Sequence, residues 1–118
     1  MKKKIIHVDN SSFFRKLMRI FLVNEGFEVE SFDNWEDAAI AVSGGSADMV
    51  ITGLALADMS GETYIKKMVD SYAGPIIVMS SSINQQTEHT MLALGVKAAI
   101  GKSGGWKEAL RPYLVCLR

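Results

Sequence analysis

Short apolar runs alternate with segments of helical periodicity along the whole 118-residue chain, and this alternation restricts the fold more than any single motif. The apolar runs predict five strands, at residues 4–8, 27–32, 48–52, 76–80 and 98–100. The intervening segments predict five helices. The first ends at Gly26, and the other four span residues 34–42, 62–72, 85–94 and 106 to about 114. Parallel strands need crossover helices that cover the sheet, so the pattern predicts an α/β protein.

Length and composition bound the number of domains. A chain of 118 residues that is 48% hydrophobic and 22% charged has the size and balance of one globular domain. We therefore predict a single domain over residues 1–118. Chains of this (βα)5 pattern commonly form a three-layer sandwich whose parallel five-stranded sheet has the flavodoxin-like order 2-1-3-4-5, with ligands bound outside the carboxyl ends of the strands.

The first helix carries a marked apolar periodicity. Ser11 and Ser12 are suitable caps for its start. Apolar side chains recur along it at helical spacing, which predicts one apolar face made of Phe13, Leu17, Ile20 and Phe21. His7 lies inside the first strand, and we interpret it as a packed core histidine rather than a ligand.

Charge and cysteine content exclude several classes of function. Thirteen basic and thirteen acidic residues cancel, so the chain has no general attraction for nucleic acid or for an anionic membrane. Cys116 is the single cysteine, which leaves no internal disulfide and no cysteine zinc site. The chain has no signal-peptide core and no apolar run long enough to span a bilayer. We expect a cytoplasmic protein that binds neither membrane nor nucleic acid directly.

Four of the predicted strands have their carboxyl ends at the edge where such sheets bind ligands, and the residues there are informative. Because the carboxyl ends of parallel strands meet at one edge, we expect these residues to form one pocket although they are far apart in sequence. The pocket would contain Asp9, Asn10, Gly53, Ser80 and Lys102.

The order and spacing of these residues resemble the receiver domain of response regulators, the CheY-like module of two-component phosphorelay signalling. Further landmarks of the resemblance are Asp48, Met59, Gly61, Pro75 and Gly95. The resemblance implies a signalling module rather than an enzyme. It also implies that Ser80 and Lys102 match the hydroxyl and lysine that contact the phosphoryl group in the family.

Two departures from the family pattern fall on its chemistry. Gly53 stands where the family has the aspartate that accepts the phosphoryl group, and glycine has no side chain to act as a nucleophile. Asn10 replaces one of the two acids that hold magnesium beside the acceptor. Magnesium prefers carboxylate oxygens, so a site left with Asp9 and Asn10 is expected to be weak or empty, and no cofactor is expected. Lys102 loses its usual partner, and we predict that it contacts Asp9 directly or through water.

Two further departures concern the family's conformational relay. Ala99 stands at the relay position, where an aromatic side chain rotates in other receivers, and Ser103 replaces a proline after Lys102. The resemblance places the interaction face on the fourth helix, fifth strand and fifth helix, here Thr90, Ala93, Lys97, Ala99 and Lys107. We expect this face to bind a protein partner or a second copy of the chain, with a histidine kinase or an output domain as possible partners.

Three alternatives stay open on the sequence alone. The chain could be a phosphorylation-responsive receiver with an unconventional acceptor, although we interpret Asp58 as a solvated turn residue. Gly53 could be an engineered replacement of an aspartate, or a glycine selected for its backbone freedom. A flavin site is disfavoured because residues 10–14 contain no glycine to cradle a phosphate.

Overall fold

Five parallel strands and five helices form the protein, and the computed structural model describes residues 2–118. The strands are β1 (Lys4–Val8), β2 (Glu28–Phe32), β3 (Met49–Thr52), β4 (Ile76–Ser80) and β5 (Ala98–Gly101). The helices are α1 (Ser12–Asn24), α2 (Trp35–Ser43), α3 (Gly61–Ser71), α4 (Gln85–Leu94) and α5 (Trp106–Leu117). The sheet order is β2-β1-β3-β4-β5, which confirms the predicted fold class.

The sheet separates two hydrophobic cores, one under each layer of helices. Alternate residues of each strand point to opposite faces, so Ile5 belongs to the core under α1 and α5 while Ile6 belongs to the core under α2, α3 and α4. β1 and β3 lie inside the sheet and are almost continuously apolar because both of their faces are covered. The predicted element bounds agree with the structure within one residue at most ends; α5 extends three residues beyond its predicted end.

The orientation of α1 corrects the prediction for that helix. Its buried face consists of Phe14, Met18, Phe21 and Leu22, and the predicted stripe is therefore rotated. Phe13 and Ile20 are 71% and 60% exposed, and Leu17 is half-buried. The ring centroids of Phe14 and Phe21 lie 5.2 and 5.3 Å from that of Trp106, so packing against α5 sets the rotation of the helix.

The helix ends follow local rules of capping. Ser11 accepts a hydrogen bond from the backbone N–H of Phe14 and caps α1, while Gly26 adopts a φ of 96° directly beyond its end. Gly95 ends α4 in the left-handed region with a φ of 112°. Across residues 2–118, no helix has the length and apolar character needed to cross a membrane.

Candidate functional site

Hydrogen bonds between neighbouring strand ends bring the predicted pocket residues together. The backbone N–H of Gly53 donates to the carbonyl of Val8 at 2.8 Å, and that of Lys102 donates to the carbonyl of Ser80 at 2.9 Å. These bonds extend the parallel pairing past the strands and fix the residues that follow them. The result is a small pocket of about 100 Å³ lined by Asp9, Asn10, Gly53, Leu54, Ala55, Met79, Ser80, Ser81 and Lys102.

Asp9 is the buried charged group of this pocket, with only 1% of its surface exposed. Its Oδ1 accepts a hydrogen bond from the backbone N–H of Ser11 at 2.9 Å. Its backbone carbonyl accepts one from the guanidinium of Arg15 at 2.6 Å. Its Oδ2 lies 2.8 Å from Nζ of Lys102. The carbonyl oxygen and Oδ1 of Asp9 thus accept hydrogen bonds, whereas Oδ2 has the Lys102 ammonium as its charge partner but no hydrogen bond among residues 2–118.

Lys102 forms the direct contact with Asp9 that the sequence predicted, which confirms that expectation. The side chain of Lys102 is 18% exposed and that of Asp9 is 2% exposed, so the ion pair is largely withdrawn from solvent. The ammonium also lies 4.4 Å from the ring centroid of Phe14, close enough for a cation–π interaction. These contacts direct the Lys102 charge toward Asp9.

Gly53 leaves space that Asp9 partly fills. A Cβ added at Gly53 would lie 3.1 Å from Asp9 Oδ2 and 3.7 Å from the carbonyl oxygen of Met79. The φ of Gly53 lies outside the left-handed region that favours glycine, so its backbone conformation is open to any residue. The interpretation that this strand end needed the backbone freedom of glycine is therefore wrong.

The pocket offers few of the oxygen ligands that magnesium prefers. Asp9 is the one carboxylate among the residues that line the pocket, and its Oδ2 already lies 2.8 Å from the Lys102 ammonium. Asn10 is exposed and provides a neutral amide, while Gly53 provides no side-chain oxygen. Magnesium requires near-octahedral oxygen ligation, usually with one or two carboxylates. In the part of the chain that the structure describes, no three histidine, cysteine or acidic side chains cluster in a metal-binding arrangement.

Ser80 and the loop after Lys102 complete the edge of the pocket. Oγ of Ser80 accepts a hydrogen bond from the backbone N–H of Ser82 at 3.3 Å. The Lys102–Ser103 peptide bond is trans, since residues 2–118 contain no cis peptide bond. The loop of Ser103, Gly104 and Gly105 then leads into α5, whose first N–H, that of Trp106, donates to the Ser103 carbonyl at 3.1 Å.

Ala99 corrects one part of the predicted interaction face. It pairs with Val78 in the sheet, is only 7% exposed and belongs to the core under α4. Ala99 therefore offers no contact to a partner, because the neighbouring helix covers it. Of the other residues assigned to this face, Ala93, Lys97 and Lys107 are exposed and Thr90 is half-buried.

His7 is buried in the core, as predicted, and its contact with Phe14 is a finding of the structure. The residue is 0% exposed, its ring lies 5.9 Å from that of Phe14, and neither ring nitrogen has a hydrogen-bond partner among residues 2–118. Burial lowers the pKa of His7 from 6.5 to about 4, against the opposing influence of Asp9. His7 is thus neutral at physiological pH.

Two polar contacts near the pocket were missed by the sequence analysis. The carboxylate of Asp58 accepts hydrogen bonds from the backbone N–H groups of Trp35 and Glu36, at 2.8 and 3.1 Å, and so caps α2. These bonds lower the pKa of Asp58. Within the core, the hydroxyl groups of Thr52 and Tyr64 are hydrogen-bonded to each other, and burial raises the pKa of Tyr64. No local pattern signals either contact, because the partners are 12 to 23 residues apart.

Comparisons with known proteins agree with the architecture. Residues 5–111 match the response regulator receiver domain family. The chain is 31% identical over 88 residues to the chemotaxis protein CheY of Bacillus subtilis, covering 74% of this chain and 73% of CheY. It is 28% identical over 109 residues to a protein-glutamate methylesterase/protein-glutamine glutaminase of Syntrophomonas wolfei, covering 88% of this chain but only 31% of that protein.

A solved structure shows the same fold across almost the whole chain. The crystal structure of the CheX-CheY-BeF3-Mg+2 complex from Borrelia burgdorferi superposes with a TM-score of 0.87 at 21% identity, covering 98% of this chain and 90% of the matched chain. At that identity the likeness establishes the fold alone. Together with the family match over residues 5–111, it leads to one conclusion: this chain belongs to the response regulator receiver domain family.

Proposed function

We propose that this chain is a receiver of two-component signalling that acts through protein contacts and does not accept a phosphoryl group. The single observation that carries the proposal is the Lys102–Asp9 ion pair at 2.8 Å, directly beside a Gly53 that has no side chain. Phosphoryl transfer needs a nucleophile and groups that offset the charge of the incoming phosphoryl group. Here the nucleophile is missing at the end of β3, and the lysine is already neutralised.

The lack of a magnesium donor set supports the same proposal. A metal ion at Asp9 Oδ2 would compete with the Lys102 ammonium, and Asp9 alone among the residues that line the pocket has a carboxylate. The amide of Asn10 would add only one neutral ligand. We therefore propose that magnesium binds weakly or not at all, and that the Lys102 ammonium is the resident positive charge of the pocket.

The family role suggests where such a receiver meets its partner. In the solved complex from Borrelia burgdorferi, the related CheY is held together with CheX. For this chain we propose a histidine kinase, an output domain or a second copy as the partner on the α4–β5–α5 face. Three exposed residues of that face, Ala93, Lys97 and Lys107, would make the contact, while Ala99 is buried in the core.

Restoring the missing carboxylates tests the proposal. Wild type, Gly53→Asp and Gly53→Asp/Asn10→Asp would each be incubated with acetyl phosphate and magnesium, and intact mass would report phosphorylation. We expect no gain for wild type and at least slow gain of one phosphoryl group for the double variant, with magnesium binding restored. The backbone at Gly53 accepts an aspartate, provided that the Asp9 carboxylate moves a few tenths of an ångström away from the new Cβ.

A stable phosphoryl group on the wild-type chain would overturn the proposal and point to an unconventional acceptor. Asp9→Asn and Asp58→Asn variants would then identify the carboxylate. Gly53→Ala serves as the matched control for the added Cβ, because it carries the same contact with Asp9 but no carboxylate. Phosphorylation of Gly53→Ala would likewise show that position 53 is not the acceptor.

A further inference from the structure

The charges of this neutral chain are segregated between its two helical layers. Helices α1 and α5 together carry five basic residues and one acidic residue, namely Arg15, Lys16, Arg19, Lys107, Arg111 and Glu108. Helices α2, α3 and α4 carry five acidic residues and two basic ones, namely Glu36, Asp37, Glu62, Asp70, Glu88, Lys66 and Lys67. One molecule therefore presents surfaces of opposite sign on opposite sides of its sheet.

Helix α1 exposes a stripe that is both basic and apolar. Phe13 and Ile20 are 71% and 60% exposed, and Val23 is 46% exposed. Lys16 and Arg19 are exposed between them. A spacing of three, four or seven residues places side chains on one side of a helix, so these five residues form a continuous surface, which we call the α1 stripe. Large exposed apolar side chains in a row mark interaction surfaces more often than isolated ones do.

Helix α2 exposes the complementary stripe. Ile40 is 71% exposed, and it lies one turn after the exposed carboxylates of Glu36 and Asp37. We call these three residues the α2 stripe. Helix α1 has no acidic residue and α2 has no basic residue, so the two stripes carry charges of opposite sign around apolar side chains of similar exposure.

We propose that the α1 stripe of one molecule binds the α2 stripe of a second copy of this chain. Charge complementarity favours a second copy as the partner. The basic and apolar α1 stripe would fit an acidic and apolar surface, and the α2 stripe of the same protein is such a surface. A formal net charge of zero adds no overall repulsion between copies. The contact lies outside the pocket and outside the α4–β5–α5 face, so it goes beyond the proposed function.

The two stripes are different surfaces, which makes the contact heterologous. When two molecules bind in this way, one of them still has a free α1 stripe and the other still has a free α2 stripe. Such contacts add further copies unless the rotation between neighbours closes a ring. The average mass is therefore expected to rise with protein concentration beyond that of a dimer, and to fall as salt screens the charges.

Sedimentation velocity at low salt, over a range of protein concentrations, tests the proposal with a charge exchange. Lys16→Glu/Arg19→Glu and Glu36→Lys/Asp37→Lys are each expected to abolish the rise in mass, because each double variant presents two stripes of like sign. Mixing the two double variants in equal amounts is expected to restore it, since each contact between unlike variants again pairs opposite charges. Phe13→Ser and Ile40→Ser are expected to weaken it as well.

Matched controls separate the stripes from general surface effects. Lys66→Glu on α3 and Val115→Ser on α5 change an exposed charge and an exposed apolar residue elsewhere, and both are expected to associate like wild type. Circular dichroism of each variant confirms that it is folded. The mass-spectrometric assay for phosphorylation does not depend on this contact, so failure of either proposal leaves the other standing.

Three results would overturn the inference. The first is a wild-type chain that stays monomeric at all concentrations. A chain that stays monomeric and instead sediments with phosphatidylglycerol vesicles counts as the same result. The second is association that the mixed variants fail to restore. The third is association that Ala93→Arg abolishes while both double charge reversals leave it intact, since that would assign self-contact to the α4–β5–α5 face.

Discussion

The buried histidine of β1 is expected to make the stability of this receiver depend on pH. His7 is fully buried and is held neutral, with its pKa lowered from 6.5 to about 4. The charged groups that act on it are Asp9, which favours the protonated ring, and Lys102 and Arg15, which oppose it. Burial is the largest of these influences. Acidification is therefore expected to destabilise the fold through this one side chain.

The sign and size follow from proton linkage. Between pH 6.5 and about 4 the unfolded chain binds a proton at His7 that the folded chain does not, so the free energy of unfolding falls as the pH falls. The slope approaches about 1.4 kcal/mol per pH unit within that window. From pH 7.5 to pH 5 the contribution of His7 amounts to about 2 kcal/mol, and the complete loss, reached below pH 4, is about 3.4 kcal/mol. The stabilisation by neutral His7 is fully present above pH 6.5.

Urea denaturation of wild type and His7→Leu between pH 7.5 and pH 5 measures this contribution. Tryptophan fluorescence reports the transition, because Trp35 and Trp106 both begin helices that pack on the core. Leucine keeps an apolar side chain at a buried position and cannot titrate. The difference in unfolding free energy between the two proteins cancels the other titrating groups. We expect His7→Leu to gain about 2 kcal/mol relative to wild type as the pH is lowered to 5.

His89→Gln is the matched control, since His89 is exposed and lies on α4 away from the core. It is expected to follow wild type across the whole range. A difference between wild type and His7→Leu that stays constant from pH 7.5 to pH 5 would refute the reasoning. An NMR titration of the folded protein in which the His7 ring protonates near pH 6.5 would refute it equally.

Two further perturbations have directions set by the structure. Lys102→Met leaves the buried Asp9 carboxylate without its ion-pair partner and is expected to lower the free energy of unfolding by roughly 2–4 kcal/mol, as measured by urea titration. The double variant Asp9→Asn/Lys102→Met is expected to recover most of that loss. An equal loss in both variants would argue against the ion pair as the cause. Asp58→Ala removes the acceptor of the Trp35 and Glu36 N–H groups and is expected to accelerate hydrogen exchange of both amides at neutral pH. In the wild-type protein, the protection of these amides is expected to fade in acid as Asp58 is protonated. Unchanged exchange in the variant would show that α2 begins stably without this cap.

The amino-acid sequence by itself determined the order of the elements and the chemistry available at the pocket. Hydrophobic periodicity is a local property, so it located each strand and helix to within a few residues. Parallel strands place their carboxyl ends at one edge, so Asp9, Gly53 and Lys102 could be assigned to one site without coordinates. The missing side chain at Gly53 is likewise a fact of the sequence. Because position 53 offers Lys102 no carboxylate, the sequence also predicted that Lys102 pairs with Asp9.

Tertiary structure alone decided how individual side chains are used. Along α1 apolar residues occur on more than one side, so two overlapping stripes satisfy helical spacing, and only packing of Phe14 and Phe21 on Trp106 buries one and exposes the other. The cap that Asp58 provides to α2 and the burial of Ala99 beneath α4 depend on contacts between segments that are distant in the chain. The spacing of residues in a sequence determines which side chains lie on the same face of a helix or strand. The segment that covers that face comes from elsewhere in the fold.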